Sequence, residues 1–341
     1  MKITAKTVAS KANVSPATVS LVVNGKSGVS AAVRQHVLDV AQELGYSIKS
    51  EPGKMKSRNI QLVIYKRHGR VISDTPFFEN LIQGASNEAG KLGYQLSIVY
   101  FYGNENTSEQ LRVLNSSNSI GIILLATEMH NNDLAIFDSL KIPIVLLDNW
   151  LTCATYNSVV IDNFAGAFNA VEYLIRSGHT RIGYLHSKVN IHNFAERWSG
   201  YNNAVRTLLP QDNDSIKRVI SVGPSVDSAY LDMTEYLATD PVLPTAFFAD
   251  NDVIAAGCLR ALNNAGYRSP EQVSIIGFDD VPLCQLLTPT LTTMSVPKEF
   301  FGATAMQCLD ATIRNSNKKE ITRTCVLPQL RVRESVFLLN R

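Results

Sequence analysis

Cysteine is scarce in this chain and widely spaced. The five residues, Cys153, Cys258, Cys284, Cys308 and Cys325, are odd in number and form no Cys-x-x-Cys pair. Neither a zinc site nor a disulfide framework is indicated, and the thiols read as reduced, mainly buried small hydrophobes of a cytosolic protein. No apolar run approaches the roughly 20 residues of a membrane span. The N-terminus carries Lys2 but lacks the apolar segment of a signal peptide. Internal repeats and low-complexity tracts are missing too. So are a Walker-type phosphate loop, a GxGxxG after a strand, a GxSxG elbow and an HExxH helix. Those absences argue against an enzyme and against a resident metal or cofactor, although a fold alone excludes no activity. The remaining composition is ordinary for a globular protein, and 341 residues suit roughly two or three domains.

Charge is unevenly spread. Residues 1–60 carry nine Lys/Arg and three Asp/Glu, a balance of +6, whereas the whole chain is +2, so the other 281 residues sum to −4. A basic head on a mildly acidic body is the footprint of phosphate contact.

That head has a recognisable pattern. Val8 and Ala12 share one helical face, and Val19, Val22 and Val23 share another. Asn13 suits the left-handed residue that closes the first helix. Ser15 suits the N-cap of the second, with Pro16 in its first turn. Ala9 is small where the helices would cross. Ser30 begins a third helix through Val33, Val37, Val40 and Leu44, which Gly45 ends. This spacing predicts a helix-turn-helix whose second helix enters a major groove. Ser15, Pro16, Ala17, Thr18, Ser20, Leu21 and Asn24 would face DNA, with Lys6, Lys26 and Arg34 placed to neutralise phosphates. A small three-helix bundle without nucleic acid is the plainer alternative.

From residue 59 onward, apolar runs alternate with amphipathic stretches. Strands are expected at 60–65, 95–101, 120–126, 144–148, 159–162, 182–186, 218–222, 246–249 and 273–278, and helices at 78–92, 164–177, 195–209, 252–265 and 298–314. This is the pattern of parallel sheets covered on both faces, in about twice the number one open sheet needs. Two α/β lobes side by side are the economical solution. Ligands bind beyond the carboxyl ends of such strands. Here those ends carry Asp148-Asn149, Asp162-Asn163, His186-Ser187, Asp250-Asn251-Asp252 and Asp279-Asp280. Carboxylates and amides crowded there suit a ligand with many hydroxyls. Asp162 and Asn251 would equally serve as helix caps. Lys66-Arg67-His68, after the first strand, would suit an anion such as a sugar phosphate, or form a solvated loop.

These residues resemble the lac-repressor-type (LacI/GalR) family of transcription regulators over nearly the full length. The resemblance rests on Val8-Ala9, Val14-Ser15, Thr18-Val19-Ser20, Val22-Val23-Asn24, Val29-Ser30 and Leu44-Gly45-Tyr46 in the head. In the body it rests on Asn251-Asp252, Ala255-Ala256-Gly257 and the stretch Val273 to Asp280, followed by Pro289 and Leu291-Thr292-Thr293. It implies a headpiece at 1–48, a linker at 49–58 and a two-lobed core of periplasmic-binding-protein type at 59–341. Lobe 1 would hold about 59–160 and 291–322, and lobe 2 about 161–290 and 323–341. It also implies a homodimer, a near-palindromic double-stranded operator, and an effector between the lobes touched by Phe78, Asp162, Arg197, Asn251 and Asp279. A sugar is expected, while the family also admits purine and phosphoprotein effectors. Members carry a hinge helix after the headpiece; here Pro52-Gly53 interrupts that segment, and Met55 is the candidate minor-groove wedge. Two rival classes share features of the body: a secreted solute-binding protein, which needs no headpiece, and a sugar-modifying enzyme, which would turn over sugar and ATP.

Overall fold

The computed structural model describes residues 4–23, 28–44, 46, 58–72, 76–152, 155–209, 218–315 and 320–339. The linker with Met55, and also Asn24, Lys26 and Gly45, lie outside the described residues. The chain divides into two units, 1–58 and 59–341.

Among the described residues the first unit has three helices, α1 (Ala5–Lys11), α2 (Pro16–Val23) and α3 (Ala31–Glu43). Thr4 caps α1 in a reciprocal pair with Thr7. Asn13 takes the left-handed conformation at φ +52°, so the chain turns sharply after α1. The Ser15 hydroxyl then accepts the Thr18 amide at 3.0 Å and starts α2, and Ser30 does the same for α3 through the Val33 amide at 3.4 Å. The interior is built of small aliphatic side chains: Val8, Ala9, Ala12, Val19, Val22, Val37, Val40 and Ala41 are buried. Such slim residues let short helices cross closely enough to share one core.

The second unit contains two six-stranded sheets among the described residues. The first runs β2 (Gln95–Tyr102), β1 (Asn59–Lys66), β3 (Gly121–Leu125), β4 (Ile144–Leu147), β5 (Asn157–Ile161) and β11 (Arg323–Val326), all parallel. The second runs β7 (Val219–Val222), β6 (Ile182–Ser187), β8 (Ala246–Ala249), β9 (Ser274–Asp279), β10 (Thr292–Ser295) and β12 (Gln329–Arg331). Only β12, paired with β10, is antiparallel there. Central strands such as β3 and β8 are buried at every position, as sheets covered on both faces require. Each sheet reverses its strand order beside its first strand, at β1/β3 and at β6/β8. Those switch points are where open α/β sheets leave a crevice for ligand.

Helices α4 (Phe77–Lys91) and α10 (Lys298–Arg314) pack together on the first sheet, and α6 (Asn163–Arg176) and α7 (His192–Leu208) on the second. Helices α5 (Thr107–Ser116), α8 (Val226–Leu237) and α9 (Asp252–Asn264) fall between strands, where helices were expected, though only α9 was given a range from the sequence. The chain passes to the second sheet after β5, near residue 161. The expected return at 291 and departure at 322 need correction. β10 still belongs to the second sheet and β11 to the first, so the crossings fall between β10 and α10 and between β11 and β12. β11 is an edge strand and β10 lies next to one, and both carry too few apolar residues to announce their sheet.

Candidate functional site

In the headpiece, the residues expected to face DNA differ in exposure. Ser15, Pro16, Ala17 and Ser20 are exposed, Thr18 and Leu21 are half-buried, and Lys6 is exposed on α1. Thr18 is turned back by its hydroxyl, 2.9 Å from that of Ser15. Arg34 is not simply a surface cation. It is half-buried, and its guanidinium donates to the Val22 carbonyl at 3.4 Å, bracing the last turn of α2.

In the core, the carboxyl ends of both sheets converge on a small, tightly lined cavity. Phe78, Arg197, Asn251 and Asp279 line it together, along with Asp148, Thr127, Phe77, Asn193 and Phe194, and Asn251 Oδ1 also accepts the Ile254 amide at 2.9 Å to cap α9. Asp162 does not join them. Its carboxylate accepts the Ala165 amide at 2.9 Å and caps α6, so the capping role prevails. The neighbouring Asn163 is the one that reaches the site, through Arg197.

Arg197 is built into the lobe. Helix α7 begins at His192, three residues earlier than expected, so Arg197 lies one turn inside it and Asn193 lies on the same face at i−4. The close crossing of α6 and α7 depends on Gly200, where a Cβ would stand 2.3 Å from the Phe164 carbonyl oxygen. The guanidinium donates to the Asn163 side chain at 2.8 Å, to the Asp250 carbonyl, and to Asp279 Oδ1 at 3.2 Å. Its central carbon lies over the Phe278 ring, 3.7 Å from the centroid.

Asp279 sits on a strained turn. Its φ is +109° and that of Asp280 is +58°, conformations that cost energy for side-chain-bearing residues. The turn is pinned from three sides. Lys298 Nζ donates to the carbonyls of Asp279 at 2.6 Å and Asp280 at 2.9 Å. Arg333 pairs with the Asp280 carboxylate at 2.7 Å. The Asp252 carboxylate accepts the Val281 amide at 3.0 Å. Gly277 makes room for Asp252, since a Cβ there would meet Oδ1 at 2.2 Å.

The two lobes meet across this cavity. Asn193 Nδ2 of the second donates to Asp148 Oδ1 of the first at 3.0 Å, and Thr127 donates to the other Asp148 oxygen at 2.7 Å. Trp150 Nε1 donates to Glu196 at 2.9 Å. Val71 packs with Val189, Ile191 and Phe194. Burial pushes the Asp148 carboxyl up to about 6, against the hydrogen bonds and the Arg197 charge that favour ionisation. Burial likewise raises Asp252 to about 7, with the Asp279 charge adding to it. Asp279 is raised by burial too, though Arg197 and Lys298 oppose the shift.

The bases of the loop after β1 have partners within the fold. Glu128 is buried beneath it and accepts the amides of Arg67, His68, Gly69 and Val71 at 2.8–3.1 Å. The Arg67 guanidinium is held by Asp133 in a forked pair at 2.7 and 2.6 Å. Arg67 and His68 thus sit against internal carboxylates, whereas the Lys66 ammonium lies over the Tyr100 ring at 4.7 Å.

Asp148, Asn193 and Phe194 were missing from the expected site. Asp148 had a signal, as a polar residue ending a buried strand. The other two had none, because they enter only when α7 starts early.

A three-helix headpiece with an exposed second helix, joined in one chain to a two-lobed core with a polar central cavity, is the make of a DNA-binding regulator. Residues 4–48 match the family described as bacterial regulatory proteins of the lacI family, and residues 171–336 match a periplasmic binding protein-like domain. The chain is 31% identical over 340 residues to the HTH-type transcriptional repressor PurR of Escherichia coli O139:H28, covering 98% of this chain and 96% of the relative. It is 29% identical over 342 residues, 99% of each chain, to the ribose operon repressor of Haemophilus influenzae. A solved complex of the transcriptional regulator CelR with cellobiose superposes with a TM-score of 0.72 at 26% identity, covering 98% of this chain and 100% of that one. The chain belongs to the lacI family of bacterial regulatory proteins.

Proposed function

We propose that this chain is a cytoplasmic, non-enzymatic repressor of carbohydrate-use genes. It binds a near-palindromic operator as a homodimer and responds to a neutral, sugar-like effector held between the core lobes. The observation that carries the effector reading is the buried Arg197–Asp279 pair set among Asp148, Asn193, Asn251 and Thr127. Side chains that both donate and accept are what adjacent hydroxyls need. Two carboxylates against one guanidinium disfavour an anion, and the pairing of Arg67 with Asp133 leaves that side chain less for a sugar phosphate. The names of the ribose operon repressor and the CelR–cellobiose complex support a sugar.

An exposed apolar strip supports the dimer. On the edge strand β2, Ile98, Tyr100 and Tyr102 alternate outward at 48%, 51% and 37% exposure. An uncovered edge of this kind invites pairing, and a second copy of the chain satisfies it.

One observation favours a second effector class. Phe77 and Phe78 meet edge to face at 5.1 Å and, with Phe194, offer aromatic walls that suit a planar purine, in keeping with the relatives named PurR. The deciding experiment selects an operator from random duplexes, then measures its affinity and the protein's melting temperature with sugars and with purines. A sugar that raises the melting temperature and shifts operator affinity upholds the sugar reading. A response to purines alone overturns it, and product formed from sugar and ATP overturns the non-enzymatic role.

A further inference from the structure

Behind the Arg197–Asp279 pair lies a second polar cluster that does not line the cavity. Asp250, just past β8, is wholly buried. Its carboxylate accepts the Tyr184 hydroxyl and the Ser187 amide, the latter at 2.7 Å, and His186 Nδ1 stands 2.8 Å away. All three partners come from the neighbouring strand β6. Tyr184 is buried as well, with the rings of Tyr201, Trp198 and Phe248 at 4.9, 5.1 and 5.4 Å. Of these four hydrogen-bonded residues His186 is the one that reaches solvent, with 31% of its side chain exposed. Solvent can therefore give a proton to the imidazole, or take one, beside a carboxylate that has no water of its own.

Charges on the surrounding elements are engaged elsewhere. Asp232 of α8 is held by Lys188 at 2.7 Å and by the Gly223 amide at 2.7 Å. On α7, Arg197 faces Asn163 and Asp279, and Glu196 faces Trp150 and His192. Asp252 of α9 accepts from Thr293 and Val281. β7 sets Ser221 opposite His186. Burial opposes protonation of His186, but the bond to Asp250 and its charge outweigh it and hold the imidazole above its ordinary value.

Asp250 joins this cluster to the cavity by two routes. Its backbone carbonyl accepts from the Arg197 guanidinium. Its neighbour Asn251 lines the cavity while capping α9. The charge also acts through space: burial is the main cause that raises Asp279, and the Asp250 carboxylate adds to it.

We propose that His186 and Asp250 form a proton-responsive element behind the effector cavity, in which Asp250 positions Arg197 and the charge on His186 sets how the Arg197–Asp279 pair is held. With His186 charged, Asp250 is compensated from behind and the guanidinium is left to Asp279. With His186 neutral, Asp250 competes with Asp279 for it. The effector response then varies with pH near neutrality through groups of the second lobe. This rests on the cavity being the effector site, though not on which effector fills it, and it can be read without any.

The experiment is NMR of the full chain labelled with 13C-histidine and 15N-arginine, titrated between about pH 5.5 and pH 9. His186→Gln assigns the imidazole, and Arg197→Lys assigns the Arg197 Nε–H. His186 should titrate above the ordinary histidine value of about 6.5, and Asp250→Asn should lower its midpoint to about 6.5 or below. The Arg197 signal should move with the same midpoint as His186 and stay still in His186→Gln. Melting gives an independent reading. A raised imidazole stabilises the folded state below about pH 6.5, and that stabilisation is lost as pH rises through the folded value. The lead of wild type over His186→Gln in melting temperature should therefore shrink between about pH 6 and pH 8.5. If His186→Gln does not fold, agreement of the two midpoints in the wild type decides, with the imidazole assigned through Asp250→Asn. An Arg197 signal that stays still while His186 titrates, or that keeps moving in folded His186→Gln, overturns the proposal. A His186 midpoint at or below about 6.5 in the wild type does so too. None of these failures touches the effector-site reading, which fails separately if neither sugars nor purines shift the melting temperature.

Discussion

Arg197 and Asp279 lie 82 residues apart in the chain and meet at 3.2 Å in the floor of the cleft, both buried. The pair joins α7 to the strained end of β9, so it is at once a wall of the cavity and a tie within the second lobe. Removing Arg197 leaves a buried carboxylate without its guanidinium. Arg197→Ala should then cost about 3–5 kcal/mol of stability, besides abolishing the response to effector. Urea denaturation checks this. A loss below about 1 kcal/mol would show the pair to be solvated in solution. Asp279→Asn keeps an acceptor for Arg197, so it should cost less and weaken effector binding more selectively.

Asp148 makes the cleft sensitive to pH. Its folded value of about 6 lies above that of an unfolded aspartate, so the folded state binds the extra proton. The contribution to stability is whole below about pH 4 and is lost as pH rises through 6. Asp148→Asn, which keeps polar atoms for Thr127 and Asn193, should remove this loss. The variant should gain on the order of 2–3 kcal/mol relative to wild type between pH 4 and pH 7. Parallel melting curves across that range test it, and parallel pH dependences for both proteins would count against a raised Asp148.

The strand bodies and most helices were legible because buried parallel strands read as unbroken apolar runs and amphipathic helices repeat. Asn13 and Ser15 were legible because turn and cap chemistry is local. What stayed hidden depends on distant partners. β10, β11 and β12 are short, and their sheet is chosen by pairing rather than by composition. The capping of α6 by Asp162 and the entry of Asn163 into the Arg197 network differ by one residue, and only the orientation of α6 against α7 decides between them. Arg34 reads as a surface cation until the end of α2 is seen to lie within its reach.

The turn between α1 and α2 should govern headpiece stability. Ser15→Ala removes the N-cap bond to Thr18 and should cost about 1 kcal/mol. Asn13→Val forces a β-branched residue to φ +52° and should cost about 1–2 kcal/mol, whereas Asn13→Gly should be nearly neutral. Melting of the full chain, followed by a probe placed in the headpiece, separates the three. Equal losses for Val and Gly would mean that the Asn13 side chain, and not its backbone, is what matters.

Lys6 and Arg34 should part company when operator binding is measured against salt. Lys6 is exposed at the start of α1, so its ammonium is available to a phosphate. Lys6→Ala should weaken binding to all duplexes alike and reduce the slope of log affinity against log salt by about 1. Arg34 is half-buried and bonded to the Val22 carbonyl, so its loss also loosens the last turn of α2. Arg34→Ala should therefore lower headpiece stability and reduce the preference for operator over random DNA, since a displaced recognition helix loses base contacts first. Arg34→Lys keeps the charge but cannot reproduce the planar fork, and should restore the salt slope without restoring the preference. Fluorescence anisotropy with operator and random duplexes over a salt series distinguishes the roles. If Arg34→Ala keeps full discrimination and changes only the salt slope, Arg34 is a phosphate contact like Lys6, and the brace on α2 carries no part of recognition.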